Sequence, residues 1–296
     1  MPRRRLPKYA LALPAWLWLI AFFIVPVAVV FWYSFGYKPG LFGSHANDVL
    51  SFDRYLEVLT PTFFKTFLNT LQIGVAGTLL CFLIGAPVAY WMALKAPAHL
   101  KGLLVALVLV PFWTNFLIRT IGWMIVLSPE GWVSQAFQAL GFNPVSILYT
   151  RPAVLLGVVY NYLPLMILPL FVAFDRVGVV LREASKDLGA SPLRTFTRVT
   201  FPLARPGVIV GVLLVYIPLM GDYITATVLG GAKGNMVGQM LASQFQTAQN
   251  WALGSAMAIM LILITMGSIA VMGGLIILGT MPIRRRNRVR LQEVSV

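Results

Sequence analysis

The chain has 296 residues, of which 59% are hydrophobic and only 11% are charged, and its formal net charge is +14. A soluble domain carries roughly 25% charged residues, so a water-soluble fold of this composition would expose too much apolar surface. The basic residues flank apolar segments instead of covering one domain, which favours a lipid bilayer over nucleic acid as the partner.

Six apolar stretches are long enough to cross a bilayer, which takes about 20 residues of helix. Only helices satisfy all backbone amides of a single segment in hydrocarbon. The stretches cover residues 9–33, 66–94, 103–127, 153–174, 206–229 and 251–280, and are named the first to sixth span. The sequence therefore predicts an all-α, polytopic membrane protein with about six transmembrane helices.

Three regions follow from this pattern. Residues 1–65 hold an N-terminal tail, the first span and an outer loop; residues 66–280 form the core; residues 281–296 form a basic tail. The first span starts like a secretory signal, but it is too long and has no small-residue cleavage site, so we expect a retained helix.

Lys and Arg are concentrated in the two tails and in the loops at residues 95–102 and 175–205. Cytoplasmic loops carry the excess of these residues. Both termini and the loop 175–205 are therefore expected on the cytoplasmic side of a plasma membrane that the chain crosses several times.

The loop 175–205 is predicted to form a helical hairpin with a sharp corner. Gly189 is a natural helix stop because it tolerates positive φ. Ser191 can cap the next helix, with Pro192 at its first position and Pro202 at its end. On sequence pattern alone, such a hairpin is either a solvated connection or a docking surface for a soluble partner.

The spacing within this hairpin resembles a known signature. Glu183, Ala184, Ser185, then Gly189, then Val199, Phe201 and Pro202 are similar to the E-A-A, three residues, G, nine residues, I, one residue, L-P signature of ABC importer permeases. Ser, Val and Phe replace Ala, Ile and Leu of that signature.

This resemblance implies a type I ABC importer permease fold (MetI-like) and a hairpin that couples to an ATP-binding subunit. The implied coupling residues are Glu183, Ala184, Gly189, Ala190, Ser191 and Pro192. It also implies two ATP-binding subunits, a second homologous permease or a copy of this chain, and an extracytoplasmic substrate-binding protein. ATP and magnesium would then belong to the partner ATPase, with no cofactor bound by this chain and a location in the bacterial inner membrane.

The chain shows no catalytic apparatus of its own. The Gly-rich segment 230–234 lacks the Gly-Lys-Ser/Thr ending of a phosphate loop. His45 and His99 are far apart and no metal-ligand spacing is present, so we expect neither a metal site nor an enzyme.

Placing an ionisable group inside a membrane span is unfavourable in free energy, so such a group usually has a functional or structural role. Taken as straight helices at 1.5 Å per residue, the spans place Arg119 about 13 Å and Asp222 about 12 Å below their outer ends. Asn115, Asn161, Tyr160 and Tyr223 fall near this level. These six residues are the predicted polar lining of a translocation pathway.

Two interpretations of Asp222 remain open. It either pairs with Arg119 and neutralises it, or it faces the pathway and attracts a cationic substrate. A role in gating is a third alternative. Gly207 and Gly211 form a GxxxG pair that predicts a close helix contact.

Residues 110–123, 221–233 and 244–259 resemble the polyamine branch of these permeases, which implies spermidine or putrescine as substrate. Another small amine, an amino acid, an opine or a phosphonate is the alternative within the family. The alternative of a different class is an ion-coupled secondary transporter or channel, for which we find no convincing internal repeat.

Overall fold

The computed structural model of the chain describes residues 8–40, 43–143 and 147–286, and within these the side chains between residues 12 and 274. The regular structure of the described residues is helical, apart from one isolated β-bridge between Tyr37 and Ala46. Five of these helices are long and apolar enough to cross a membrane, or six if one bent pair counts as a span. The all-α prediction with about six spans is confirmed.

The chain divides into two compact units, Met1–Val58 with Ala248–Val296, and Leu59–Thr247. In the first unit the last helix packs against the end of the first span and against a short helix. Its elements are Lys8–Leu19, a π-helical turn Ile20–Ile24, Val25–Tyr33, Asp53–Val58 and Trp251–Arg286. The predicted basic tail thus begins as helix, and its residues after 286 lie outside the described residues. The division at residues 65 and 280 stays a prediction.

The second unit is built on three long helices, Pro61–Leu94, Arg151–Asp175 and Phe201–Met220, which pack on one another. Its other elements are Lys101–Leu109, Phe116–Leu127, Trp132–Ala139, Val179–Asp187, Pro192–Thr195 and Val237–Gln246, with 3-10 turns Ala98–Leu100 and Val110–Trp113 and π-helical turns Phe196–Thr200 and Ala226–Gly230. Buried apolar side chains such as Met166, Leu170 and Leu219 fill the space between the three long helices.

The glycine pair of the fifth span lies at the contact with the fourth. A methyl group added at Gly207 would collide with Ala173 and the Pro169 carbonyl, and one at Gly211 would press on Met166. Only glycine permits this approach of the two backbones. The predicted close contact is therefore confirmed.

The third span is not the continuous helix that its hydropathy predicts. Its two halves, Ala98–Trp113 and Phe116–Ala139, are bent by 85°. Thr114 and Asn115 are extended between them, and the Asn115 side chain accepts a hydrogen bond from the amide of Leu117 at 2.8 Å. Short polar side chains that bond to nearby backbone compete with helix in this way.

The fifth span also differs from its prediction, since it ends at Met220 and not near residue 229. The amide of Gly221 turns back to the Pro218 carbonyl at 3.2 Å, and a separate short helix follows Asp222. Because both the third and fifth spans are interrupted, the straight helices on which the depths of Arg119 and Asp222 were estimated do not exist.

Candidate functional site

The predicted hairpin corner is formed by a helix Val179–Asp187 and the helix that begins at Pro192. Gly189 has φ of +78°, the left-handed conformation that favours glycine. The Ser191 hydroxyl accepts a hydrogen bond from the Arg194 amide at 3.3 Å, and Pro192 occupies the first helical turn. The predicted local roles of Gly189, Ser191 and Pro192 at this corner are confirmed.

The predicted role of Pro202 is wrong, because the helix does not end there. The chain stays helical from Pro192 to Met220, through a π-helical turn at Phe196–Thr200. A proline lacks the N–H for a bond to the preceding turn and its ring crowds that turn. The wider π turn immediately before Pro202 accommodates both effects. The second arm of the hairpin is thus the base of the fifth span itself.

Two contacts hold the hairpin in one shape. The Ser185 hydroxyl lies 3.1 Å from the Thr195 hydroxyl and joins the two arms. The Phe196 ring packs edge-on against Tyr90 of the second span, with ring centroids 5.5 Å apart, and lies near Phe174 of the fourth. The corner is therefore anchored to the ends of three long helices.

The most conspicuous feature of this hairpin is a set of exposed apolar side chains, which the sequence pattern did not predict. Leu188 at the corner is 89% exposed, and Val180 and Leu193 on the two arms are 76% and 73% exposed. Glu183, Ala184 and Ser191 are exposed beside them, and Ala190 is half-buried. Apolar side chains on a segment this rich in polar residues are typical of an interaction surface. Their signal in the sequence was apolar residues on both arms and at the helix stop of an otherwise polar segment.

Asp222 lies in the break after the fifth span, where it caps the short helix that follows. One carboxylate oxygen accepts a hydrogen bond from the Thr225 amide at 3.0 Å, and the other accepts one from the Thr225 hydroxyl at 2.6 Å. The Tyr162 hydroxyl and the Ile224 amide also face this carboxylate. Asp222 is only 6% exposed. This carboxylate therefore acts as a helix cap inside the fold.

The interpretation that Asp222 pairs with Arg119 does not match this geometry. Among the described residues the ion pairs are Arg54 with Glu57 and Lys101 with Asp175, so Asp222 and Arg119 are not paired. The carboxylate is buried within the single chain, and its assignment to a pathway stays a prediction.

Asn161 is brought next to the second half of the third span. Its side-chain amide donates to the Thr120 hydroxyl at 3.2 Å, and both residues are buried. The neighbouring Tyr160 is half-exposed and stacks edge-on with Trp123 at 5.5 Å. Asn115 and Tyr223 are exposed. Assignment of these residues to a pathway stays a prediction.

Arg119 follows Asn115 by one turn, and its guanidinium lies over two aromatic rings. The guanidinium carbon is 5.5 Å from the Phe112 ring centre and 5.6 Å from that of Phe116. Two of its nitrogens, Nε and Nη1, are buried without a hydrogen-bond partner. Arg119 therefore forms no ion pair among the described residues.

Comparison with known proteins assigns the chain to a family. Residues 85–277 match the family described as binding-protein-dependent transport system inner membrane component. The spermidine/putrescine transport system permease protein PotB of Escherichia coli K12 is 37% identical over 249 residues, which are 83% of this chain and 90% of that protein. PotB of Haemophilus influenzae is 38% identical over 244 residues, 82% of this chain and 84% of its own length.

Solved structures of similar fold come from the same class of transporter. A bacterial ABC transporter involved in the import of the polysaccharide alginate gives a TM-score of 0.71 at 16% identity, covering 90% of this chain and 93% of that one. The MetNI methionine ABC transporter gives 0.56 at 20% identity, covering 75% of this chain and 100% of that one. The chain therefore belongs to the binding-protein-dependent transport system inner membrane components and has the fold of an ABC importer permease.

Proposed function

We propose that this chain is the permease subunit of an ATP-driven importer for polyamines such as spermidine or putrescine. The observation that carries the proposal is the 37% identity to PotB over 83% of the chain. Because that similarity runs through most of the sequence, it supports a shared substrate class more strongly than one motif does.

The hairpin Val179–Thr195 is the part we assign to energy coupling. Its corner exposes Leu188, and its two arms expose Val180 and Leu193, so a groove on an ATP-binding subunit could bury all three. Burial of apolar surface is worth about 25 cal/mol per Å². Glu183 and Ser191 lie at the same surface and would add polar contacts at its edge.

The continuity of the helix that begins in this hairpin supports a transfer of motion into the membrane. From Pro192 to Met220 the chain is helical for 29 residues, about 43 Å at 1.5 Å per residue. One end of this helix is the hairpin corner, and the other end is the break at Asp222. A displacement of the corner would therefore move the surroundings of Asp222 and of its neighbour Tyr162.

The assembled importer would contain this chain, a second permease, two ATP-binding subunits that hold ATP and magnesium, and an extracytoplasmic binding protein. This arrangement is supported by the family and by the loop charges. From those charges we infer that both termini and the hairpin lie on the cytoplasmic side of the inner membrane. The chain itself carries out no catalysis in this scheme.

Reconstitution in proteoliposomes tests the proposal. The complete complex should take up labelled spermidine or putrescine only with internal ATP and binding protein, and an inactive ATPase subunit should abolish uptake. Uptake by this chain alone, driven by an ion gradient, would instead establish a secondary transporter. If an amino acid, an opine or a phosphonate competes better than a polyamine, the proposed substrate is wrong. The proposed role as an importer permease would still stand.

A further inference from the structure

We infer that the side-chain oxygens of Asn69, Asn235 and Gln239 form a binding site for one primary ammonium group of the transported polyamine. The inference rests on the proposed function, because it names the part of the substrate that this chain holds. It concerns the start of the second span and the helix Val237–Gln246, where the sequence pattern assigned no site residue.

The three oxygens are hydrogen-bond acceptors that the described residues leave unused. Asn69 Oδ1, Asn235 Oδ1 and Gln239 Oε1 are buried, and no described residue donates a hydrogen bond to them. Asn69 is only 6% exposed, whereas Asn235 and Gln239 are half-buried. A buried polar group without a partner is unfavourable in free energy. Three acceptors of this kind in one region favour a ligand that carries several donors.

Direct contacts bring the three residues together. The side-chain amide of Asn69 donates to the Asn235 carbonyl at 2.5 Å. On the same helix the Thr70 hydroxyl accepts a hydrogen bond from the Val237 amide at 2.9 Å. Gln239 lies in the first turn of the helix that begins at Val237. The start of this helix is therefore fixed against the second span, with Asn69 beneath it.

The same helix start also touches the break in the fifth span. A methyl group added at Gly238 would lie 2.7 Å from the Gly221 carbonyl oxygen and 3.1 Å from the Asp222 carbonyl carbon. The break is the far end of the helix that continues from the hairpin. A displacement of the break would therefore move Asn235 and Gln239 relative to Asn69, and would open or close the site during transport.

The chemistry of the three oxygens matches a primary ammonium group. Such a group has three N–H donors and no acceptor, and the three residues supply three acceptors. Neutral amide oxygens hold a cation less strongly than a carboxylate does, and a transported ion must bind weakly enough to leave again. The site needs no carboxylate, which agrees with the use of Asp222 as a helix cap.

The test measures binding of labelled spermidine to the purified permease–ATPase complex in the absence of the binding protein. Gln239→Met keeps the length of the side chain and removes the oxygen, so we expect the Kd to rise about tenfold, the loss typical of one hydrogen bond to a charged group. Asn235→Leu should have a similar effect. Gln239→Glu supplies a charged acceptor of the same shape and should lower the Kd. The control Gln244→Met changes a half-buried glutamine of the same helix and should leave the Kd unchanged.

The opposite effects expected for Gln239→Met and Gln239→Glu distinguish the inference from misfolding, which would weaken binding in both. An unchanged Kd in Gln239→Met, or a raised Kd in both variants, would overturn the inference. Displacement of spermidine by an equal concentration of potassium would show a site for an inorganic cation and would also overturn it. ATP-dependent polyamine uptake by the unmodified complex, measured in the same preparation, tests the proposed function separately.

Discussion

The hydroxyl groups of Ser185 and Thr195 lie 3.1 Å apart and join the two arms of the hairpin, although ten residues separate them in the chain. Thr195 is buried at this contact, and the adjacent Phe196 packs against the Tyr90 ring. The Ser185 position departs from the Ala of the family signature, so in this chain the departure adds a hydrogen bond. These two contacts hold the arms of the corner together.

Removing this bond should weaken coupling while leaving the fold intact. The double variant Ser185→Ala, Thr195→Val keeps the shape of both side chains and should cost about 1 kcal/mol of stability. We expect polyamine uptake to fall several-fold at an unchanged amount of assembled complex. Uptake per ATP hydrolysed in proteoliposomes measures this. The control Ser243→Ala removes an exposed hydroxyl elsewhere in the unit and should have no effect on uptake. An equal loss of uptake in the control and in the double variant would show that the bond between Ser185 and Thr195 does not contribute to coupling.

Leu188 should be the main apolar anchor of the hairpin, because it is 89% exposed at the corner. Leu188→Glu would place a charge where the ATP-binding subunit must exclude water, and we expect binding of that subunit to weaken by at least about tenfold. Copurification of the ATPase with the permease measures the effect. Leu140→Glu is the matched control, since Leu140 is 74% exposed in a loop predicted on the other side of the membrane. Retention of the ATPase by Leu188→Glu would show that the partner docks elsewhere.

Gly189 is required for its backbone conformation and not for space. A methyl group there would meet no atom within 4 Å, yet φ is +78°. Gly189→Ala should therefore cost about 1 to 2 kcal/mol through conformation alone and lower uptake, and Gly189→Asn should restore part of it. Gly102→Ala, at an equally open helical glycine, should be neutral or stabilising. Thermal unfolding of the purified complex and uptake provide the two measurements.

The hairpin could be predicted from sequence because its determinants are local. A glycine at a helix stop, a serine cap and a proline after it each act within a few residues, and Gly189, Ser191 and Pro192 do what their types predict. Pro202 was misjudged because the π-helical turn before it lets the helix continue. Such a turn is a backbone adjustment that leaves no residue type as a signal.

The breaks in the third and fifth spans were missed for a different reason. Hydropathy is continuous across both, and it reports burial in lipid without reporting whether the helix is interrupted. The caps were nevertheless present in the sequence, since Asn115 precedes one helix and Asp222 precedes Thr225 by three residues. An Asx residue within an apolar run, shortly after a proline, is a signal of interruption.

Substitutions of Asp222 can distinguish a structural role of this residue from a role in transport. As a cap, its carboxylate accepts from the amide and hydroxyl of Thr225, and asparagine is nearly as good an acceptor at that position. Asp222→Asn should therefore preserve assembly and most polyamine uptake, whereas Asp222→Ala should lose about 1 to 2 kcal/mol of stability. Thr225→Val should resemble the alanine variant in part, because it removes the hydroxyl donor and keeps the amide.

Comparing Asp222→Asn with Asp222→Ala distinguishes the two roles, because Asn removes the negative charge and keeps a hydrogen-bond acceptor, whereas Ala removes both. If the negative charge of Asp222 attracted the substrate, uptake would fall equally in both variants while the asparagine protein remained stable. If the cap is what counts, uptake and stability should fall together, and only with alanine. The measurements are the uptake rates and unfolding temperatures of the two purified complexes. Asn115→Ala serves as a comparison, because it removes the equivalent helix cap in the third span.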